Sequence, residues 1–263
     1  MDEKNNPDAR YIRQVTFAEL GEGGQAALEA GRVLVVGAGG LGSWMIELLA
    51  RAGVGMLRIV DDDRVDWTNL HRQAMYDEAH AAARTPKAAA AAARVGRINS
   101  HCRVEAVEAR VTAANVAPLA ADADVILDAT DNFATRFLLN DVAVKAGKPW
   151  VFTGAVRAEG QTMTILPGRT PCLRCLYEDP PPPDREVRAA THGVLGPAVA
   201  ALASVAACEA VKLLAGAATG GLLLRVDLWT GAVRSLDLSN ARRADCPCCG
   251  ERNFHFFERA PAK

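Results

Sequence analysis

At 263 residues the chain is long enough for one large α/β domain or two small ones, each with a substantial core. Half of its residues are hydrophobic and 23% are charged, the profile of an ordinary soluble globular protein. Lys plus Arg (30) nearly balances Asp plus Glu (31), which excludes a nucleic-acid glove built on bulk charge and leaves only local patches open.

The opening MDEKNNPDAR is polar and lacks the apolar core of a signal peptide, so a cytoplasmic location is expected. There the seven cysteines should be reduced thiols or metal ligands. Arg32 to Val36 predicts a strand and Leu41 to Ala52 a helix. Met56 to Asp61 is the next strand, followed by a polar loop from Asp62 to Gln73. The alanine-rich run after Pro86 predicts a helix to about Asn99, with proline in its first turn. Arg103 onward and Asp124 onward predict strands, and Phe133 to Ala146 predicts a helix stopped by Gly147. This alternation implies a Rossmann-like, mostly parallel sheet.

In the second half WVFTGAV and QTMTILPG flank RAEG as one hairpin, and LLLRVDLW and VRSLDL flank TG as another. Antiparallel strands should therefore extend the parallel sheet at one side. Four prolines, Pro180 to Pro183, mark an extended crossing segment. The apolar run Val194 to Cys208 contains Pro197, is too short and leucine-poor to span a bilayer, and predicts a buried helix. One domain over residues 1–263 with a mobile crossover at about 177–196 is expected.

Gly37, Gly39 and Gly42 satisfy G-x-G-x-x-G between a strand and a helix, a cradle for the pyrophosphate of NAD or the phosphates of ATP. Asp61 ends the following strand, where an acid grips ribose hydroxyls. Beyond it DDDRVDWTNLHRQ supplies Asp63, Asn69, Arg72 and Gln73, and Lys87 follows. Two cations aimed at one end of a nucleotide suit ATP, because charge builds up on departing pyrophosphate. DATDN, Asp128 to Asn132, ends a strand at the same sheet edge, and Asp131 is a candidate magnesium ligand.

Together, VVGAGGLGS, DDDRVDWTNLHRQ, TPK, DATDN, TGAVRAEGQ and two Cys-x-x-Cys pairs resemble the ThiF/MoeB/HesA family, the adenylyltransferases that activate ubiquitin-like sulfur carriers. The resemblance runs from RYIRQ at Arg10 to CPCCG at Gly250. It implies that ATP and Mg2+ adenylate the C-terminal glycine of a small β-grasp carrier ending in Gly-Gly, giving a carrier acyl-adenylate and pyrophosphate. By this resemblance Gly37, Gly39, Gly40 and Gly42 cradle phosphates and Asp61 holds ribose. Asp63, Asn69, Arg72, Gln73 and Lys87 complete the nucleotide site, and Asp131 ligates magnesium. Arg13, in RYIRQ, matches an arginine that reaches into a dimer partner's site, which implies a homodimer with Arg13 acting in trans on the β/γ phosphates.

Cys172 with Cys175, and Cys246 with Cys249, have the spacing that lets two thiolate pairs close a tetrahedral zinc site. Such a closed site is structural, and the family resemblance includes it. A redox Cys-x-x-Cys and a nucleic-acid zinc ribbon are the competing readings. Cys248 is a spectator or alternative ligand, and Cys102 and Cys208 are expected to be buried or half-buried.

Many family members carry a crossover cysteine four residues before the glycine of a GV…P segment. In EVRAATHGVLGP that position is Ala189. The expectation is adenylation without an enzyme-bound thioester, with sulfur supplied by a separate donor, since the chain stops at Lys263 without a sulfurtransferase domain. Thr191 and His192 stand nearby without an evident activating base. The glycines of VFTGAVRAEGQ, Gly154 and Gly160, would let an extended carrier tail approach. Neither a membrane nor nucleic acid is expected as a partner. The alternatives are a superfamily enzyme adenylating a peptide or a tRNA base, an NAD-dependent oxidoreductase, and an inactive binding module.

Overall fold

The computed structural model describes residues 7–182 and 187–258. A short 3-10 turn, Pro7–Tyr11, leads into α1 (Ile12–Val15) and α2 (Gly21–Ala30). The parallel half then runs β1 (Arg32–Val36), α3 (Gly40–Ala52), β2 (Met56–Val60), α4 (Glu78–Ala82), α5 (Lys87–Ile98), β3 (Arg103–Val107), α6 (Val116–Ala120), β4 (Val125–Asp128), α7 (Phe133–Ala146) and β5 (Trp150–Val156). The remainder comprises β6 (Glu159–Ile165), α8 (Leu173–Leu176), α9 (Ala189–His192), α10 (Gly196–Leu214), β7 (Leu222–Asp227), β8 (Ala232–Asp237) and α11 (His255–Glu258).

One eight-stranded sheet in the order β3-β2-β1-β4-β5-β6-β7-β8 carries the fold. The strands from β3 to β5 are parallel, and β6, β7 and β8 add on antiparallel. The mixed sheet predicted from the sequence is therefore the one observed. Its strand order reverses between β1 and β4, and Val36 at the end of β1 is level with both Val60 and Asp128. The loops after β1, β2 and β4 consequently open at one edge, where open α/β sheets bind ligands.

Two cores sandwich the sheet. On one face α3, α5 and α10 bury Met45, Ile46, Leu49, Ala91, Leu202 and Ala206 against Val33, Val35, Leu57 and Ile59. On the other, α7 and the cysteine-rich lobe bury Phe137, Leu139 and Cys246 against Leu34, Ile126, Trp150 and Phe152. Cap chemistry sets α7's limits. Asn132 Oδ1 accepts from Thr135 N at 2.9 Å, and Gly147 adopts the left-handed φ of 69° that ends a helix.

Three expectations are corrected. The apolar helix runs on from Gly196 to Leu214 because Glu209 and Lys212 pair with each other on its flank, and Thr164 Oγ1 donates to Glu209 at 2.6 Å. Among the described residues α10 is the one helix long and apolar enough to cross a membrane, yet its face Val199, Leu202, Ala206 and Ala210 lies in the core. Only that face is covered, so Cys208, expected at least half-buried, is exposed. Cys102 is buried as expected. Finally, Gly160 does not open space for a peptide. A Cβ there would collide with Leu202 of α10 and with the Gly154 carbonyl, so its glycine is demanded by packing under the sheet. The mobile crossover is expected over 177–196, and residues 183–186 of that stretch lie outside the described residues.

Candidate active site

The glycine loop is shaped by backbone crowding. Gly37 has φ 94°, and a Cβ on it would lie 2.7 Å from the Ala129 carbonyl. At Gly42 a Cβ would collide with the Gly37 carbonyl. Gly39 instead has open space and, as the residue capping α3, no side chain with which to satisfy the first-turn amides. Gly39, Gly40 and Leu41 line the cleft, which places those amides and the positive end of the helix where an anion is stabilised.

Asp61, expected to hold ribose, first organises the loop. Its Oδ2 accepts from Ala38 N at 2.6 Å and its Oδ1 from Asp63 N at 2.8 Å. Burial pushes its pKa above the usual carboxylate range, against the pull of Lys87 and those two amides. Lys87 opens α5 with only 6% of its surface exposed, and its Nζ donates to Asp63 Oδ2 at 2.8 Å. Tyr76, which the sequence does not single out, donates from its hydroxyl to Ala38 O at 2.7 Å and Lys87 O at 3.2 Å, joining the glycine loop to α5. No pattern in the sequence marks it, because the contact depends on the folded loop.

Asn69 closes a capping box with Asp66, its Oδ1 accepting from Asp66 N at 3.1 Å. Arg72 Nη1 donates to Thr68 O at 2.7 Å. Burial lowers the Arg72 pKa from its usual value, and the carboxylate of Asp131, on the wall of the same cleft, opposes that shift. Gln73 is buried beside Gly39 with its Oε1 lacking any hydrogen-bond partner among the described residues. That polar atom suits a bound ligand or water.

A buried ion pair anchors Thr130, the residue before Asp131. Asp128 is fully buried, and Arg136 Nε donates to its Oδ2 at 3.2 Å. Arg136 Nη2 also donates to Thr130 O at 2.7 Å, and its guanidinium lies 5.1 Å and 5.3 Å from the ring centroids of Phe133 and Phe152. Burial raises the Asp128 pKa, and Arg136 restrains the rise. The sequence carries only a weak hint of this residue, a cation set between Phe133 and Phe137 four positions after Asn132. Arg136 also lies 3.3 Å from where a Gly154 Cβ would stand, so Gly154 keeps the hairpin close to this platform.

The structure thus brings Gly37, Gly39, Gly40, Asp61, Asp63, Asn69, Arg72, Gln73, Lys87 and Asp131 to one cleft of about 1880 Å3, while Gly42 packs behind the loop. The cleft continues past Gly154 and Gln161 to β7 and β8, beneath Tyr177 and Pro180–Pro182. This exceeds the ~300–1,000 Å3 of an ordinary small-ligand pocket. Arg13 is not among the lining residues; it lies exposed on α1.

The four expected zinc ligands also converge. The Sγ atoms of Cys172, Cys175, Cys246 and Cys249 all lie within 4.8 Å of one another, with Cys172–Cys246 at 3.6 Å and Cys175–Cys249 at 3.4 Å. Zn–S bonds of about 2.3 Å in a tetrahedron need sulfurs roughly 3.8 Å apart. The donor set therefore fits zinc. Cys248 is buried, and its Sγ accepts from Asn140 Nδ2 at 3.2 Å. The neighbouring Cys172 and burial push the Cys248 thiol pKa up.

The fold gathers a glycine loop, two cations and an acid at its switch point, and relatives named as adenylyltransferases make the protein an adenylyltransferase. Residues 11–248 match the ThiF family model, and the chain belongs to the ThiF family. It is 41% identical over 247 residues to the sulfur carrier protein ThiS adenylyltransferase of Bacillus subtilis, covering 94% of this chain and 73% of that protein. It is 43% identical over 244 residues to the SAMP-activating enzyme E1 of Haloferax volcanii, covering 92% and 88%. The structure of Escherichia coli MccB with ATP shares the fold, with a TM-score of 0.79 over 95% of this chain and 76% of that one, at 19% identity.

Proposed function

We propose that the protein uses ATP and Mg2+ to adenylate the C-terminal glycine of a small β-grasp sulfur-carrier protein ending in Gly-Gly, releasing pyrophosphate. The observation that carries this reading is the continuous cleft, which runs from the glycine loop and Lys87 to the groove beside Gly154, with Arg72 and Asp131 both on its wall. Such a cleft has room for a nucleotide at one end and an extended tail at the other. The name of the Bacillus subtilis relative, a sulfur carrier protein adenylyltransferase, favours a carrier over a tRNA base or a free peptide.

In this reading the first-turn amides of α3 and the cations Arg72 and Lys87 cradle the phosphates. Asp61 turns to ribose, Asn69 and Gln73 line the nucleotide, and Asp131 holds the metal. One carboxylate oxygen of the tail attacks the α-phosphorus as the bond to the pyrophosphate oxygen breaks. The cations stabilise the charge developing on that leaving group. Arg13, remote from its own cleft, acts in the site of a second copy in a homodimer. The four-cysteine cluster holds zinc that supplies structure alone. The crossover bears Ala189 where a thioester would need a cysteine, and residues 177–196 contain none, so a separate donor delivers sulfur to the acyl-adenylate.

Hydroxylamine added to the protein, ATP, Mg2+ and carrier tests this scheme. The carrier should be converted to its C-terminal hydroxamate, visible in its intact mass, with no thiol-cleavable carrier–enzyme conjugate on denaturing gels. Such a conjugate would contradict the adenylation-only scheme, and absence of hydroxamate would contradict adenylation of the carrier.

A further inference from the structure

The antiparallel end of the sheet carries an arrangement that neither nucleotide binding nor folding explains. Arg225 of β7 and Arg234 of β8 are directly opposite partners in the ladder, and both are exposed. Opposed like charges on one sheet face destabilise a strand pair. Neither arginine has an ion-pair partner among the described residues. The carboxylates that share their face, Glu159 and Asp227, form no ion pair with them. Asp227 is committed to its own turn, its Oδ2 accepting from Thr230 Oγ1 at 2.7 Å and its Oδ1 from Trp229 N at 3.0 Å.

The register shows where these cations stand. Gly154 pairs with Gln161, Gln161 with Arg225, and Arg225 with Arg234, so one row crosses the sheet from the Arg136 platform to the edge strand. All four residues line the same cleft as the glycine loop. On the same face of β8, two residues beyond Arg234, Leu236 is 46% exposed. In the carrier reading, a tail threaded past Gly154 towards Asp131 leads back along this row to its globular body.

We propose that Arg225 and Arg234 form the docking surface for an acidic face on the body of the carrier protein, next to the point where its tail emerges. This rests on the carrier reading given above. Carboxylates laid over the two guanidinium groups offset their mutual repulsion, which favours an acidic partner. Cations at the mouth of the cleft also steer such a partner in.

The test uses the full chain with the thiamine and molybdopterin carrier proteins and with synthetic peptides of their last six residues. Carrier-dependent ATP–pyrophosphate exchange is measured for wild type, Arg225→Glu, Arg234→Glu and Arg225→Lys. Each Glu variant should raise the KM for the intact carrier by about tenfold or more, leaving kcat and the KM for ATP unchanged. Peptide KM should not move, and the Lys variant should retain most of the carrier affinity. Added salt should weaken carrier binding to wild type more than to the Glu variants. Arg225→Glu places a carboxylate opposite Arg234, so its thermal midpoint should not fall, which separates lost docking from lost fold. An unchanged carrier KM, or an equal loss for the peptides, would overturn the proposal. Unchanged carrier KM with lost binding of bulk tRNA would assign the row to nucleic acid instead. Wild type showing no exchange with either carrier would overturn the carrier reading itself, and this inference with it.

Discussion

Replacing Lys87 with alanine is expected to slow ATP–pyrophosphate exchange by about 10²–10³-fold, the usual effect of removing one group that stabilises transition-state charge. Lys87 is buried at the start of α5, Asp63 is its acidic partner at hydrogen-bond distance, and the hydroxyl of Tyr76 fixes its backbone carbonyl. The ammonium is thus held in place before any ligand arrives and needs little reorganisation when charge develops. Arg72→Ala should fall in the same range, since its guanidinium is partly desolvated and lines the same cleft as Lys87 and Asp131. The measurement is the split between kcat and the KM for ATP. If only KM rose, the two cations would bind ground state and transition state alike, and their assignment to the leaving group would fail.

Cys246→Ser should release the metal and cost about 3 kcal/mol or more, which for a chain of this size lowers the thermal midpoint by roughly 6–12 °C. The physical reason is long-range. Cys172 and Cys175 sit at α8 in the middle of the chain, whereas Cys246 and Cys249 belong to the segment that carries Phe254 and Phe256 back onto α7. Phe256 N donates to the buried Asp141 carboxylate at 2.8 Å, and the Phe256 ring lies 4.9 Å from Phe137. Without the four-sulfur clamp, those contacts must hold the segment unaided. Metal content, calorimetry and hydrogen exchange report the outcome, with protection lost first in the segment from Cys246 to Glu258. Cys208→Ser is the control, because that thiol is exposed on the outer side of α10, and it should change neither metal content nor midpoint. Full metal retention in Cys246→Ser would contradict the site.

The sequence reveals whatever depends on local chemistry. The strand–glycine–helix punctuation locates the nucleotide loop, Gly147 marks the end of α7, and two-residue cysteine spacing identifies the four ligands. What escapes it depends on neighbours distant in the chain. Gly160 reads as room for an extended tail until Leu202 of α10 is packed beneath it. Hydropathy finds the apolar helix but not which of its faces the sheet covers, so Cys208 reads as at least half-buried when it is exposed. Arg136 becomes part of the site only once β4, α7 and β5 enclose it with Asp128. The opposition of Arg225 and Arg234 requires the ladder register, which the turn sequence does not specify.

The most direct test of the central claim is ATP–pyrophosphate exchange with Mg2+ and a carrier ending in Gly-Gly, set against the same carrier without its last glycine. Exchange that requires the intact tail is the predicted result. Exchange with the truncated carrier, or none with any carrier while ATP still binds, would contradict the assignment of the cleft to carrier adenylation.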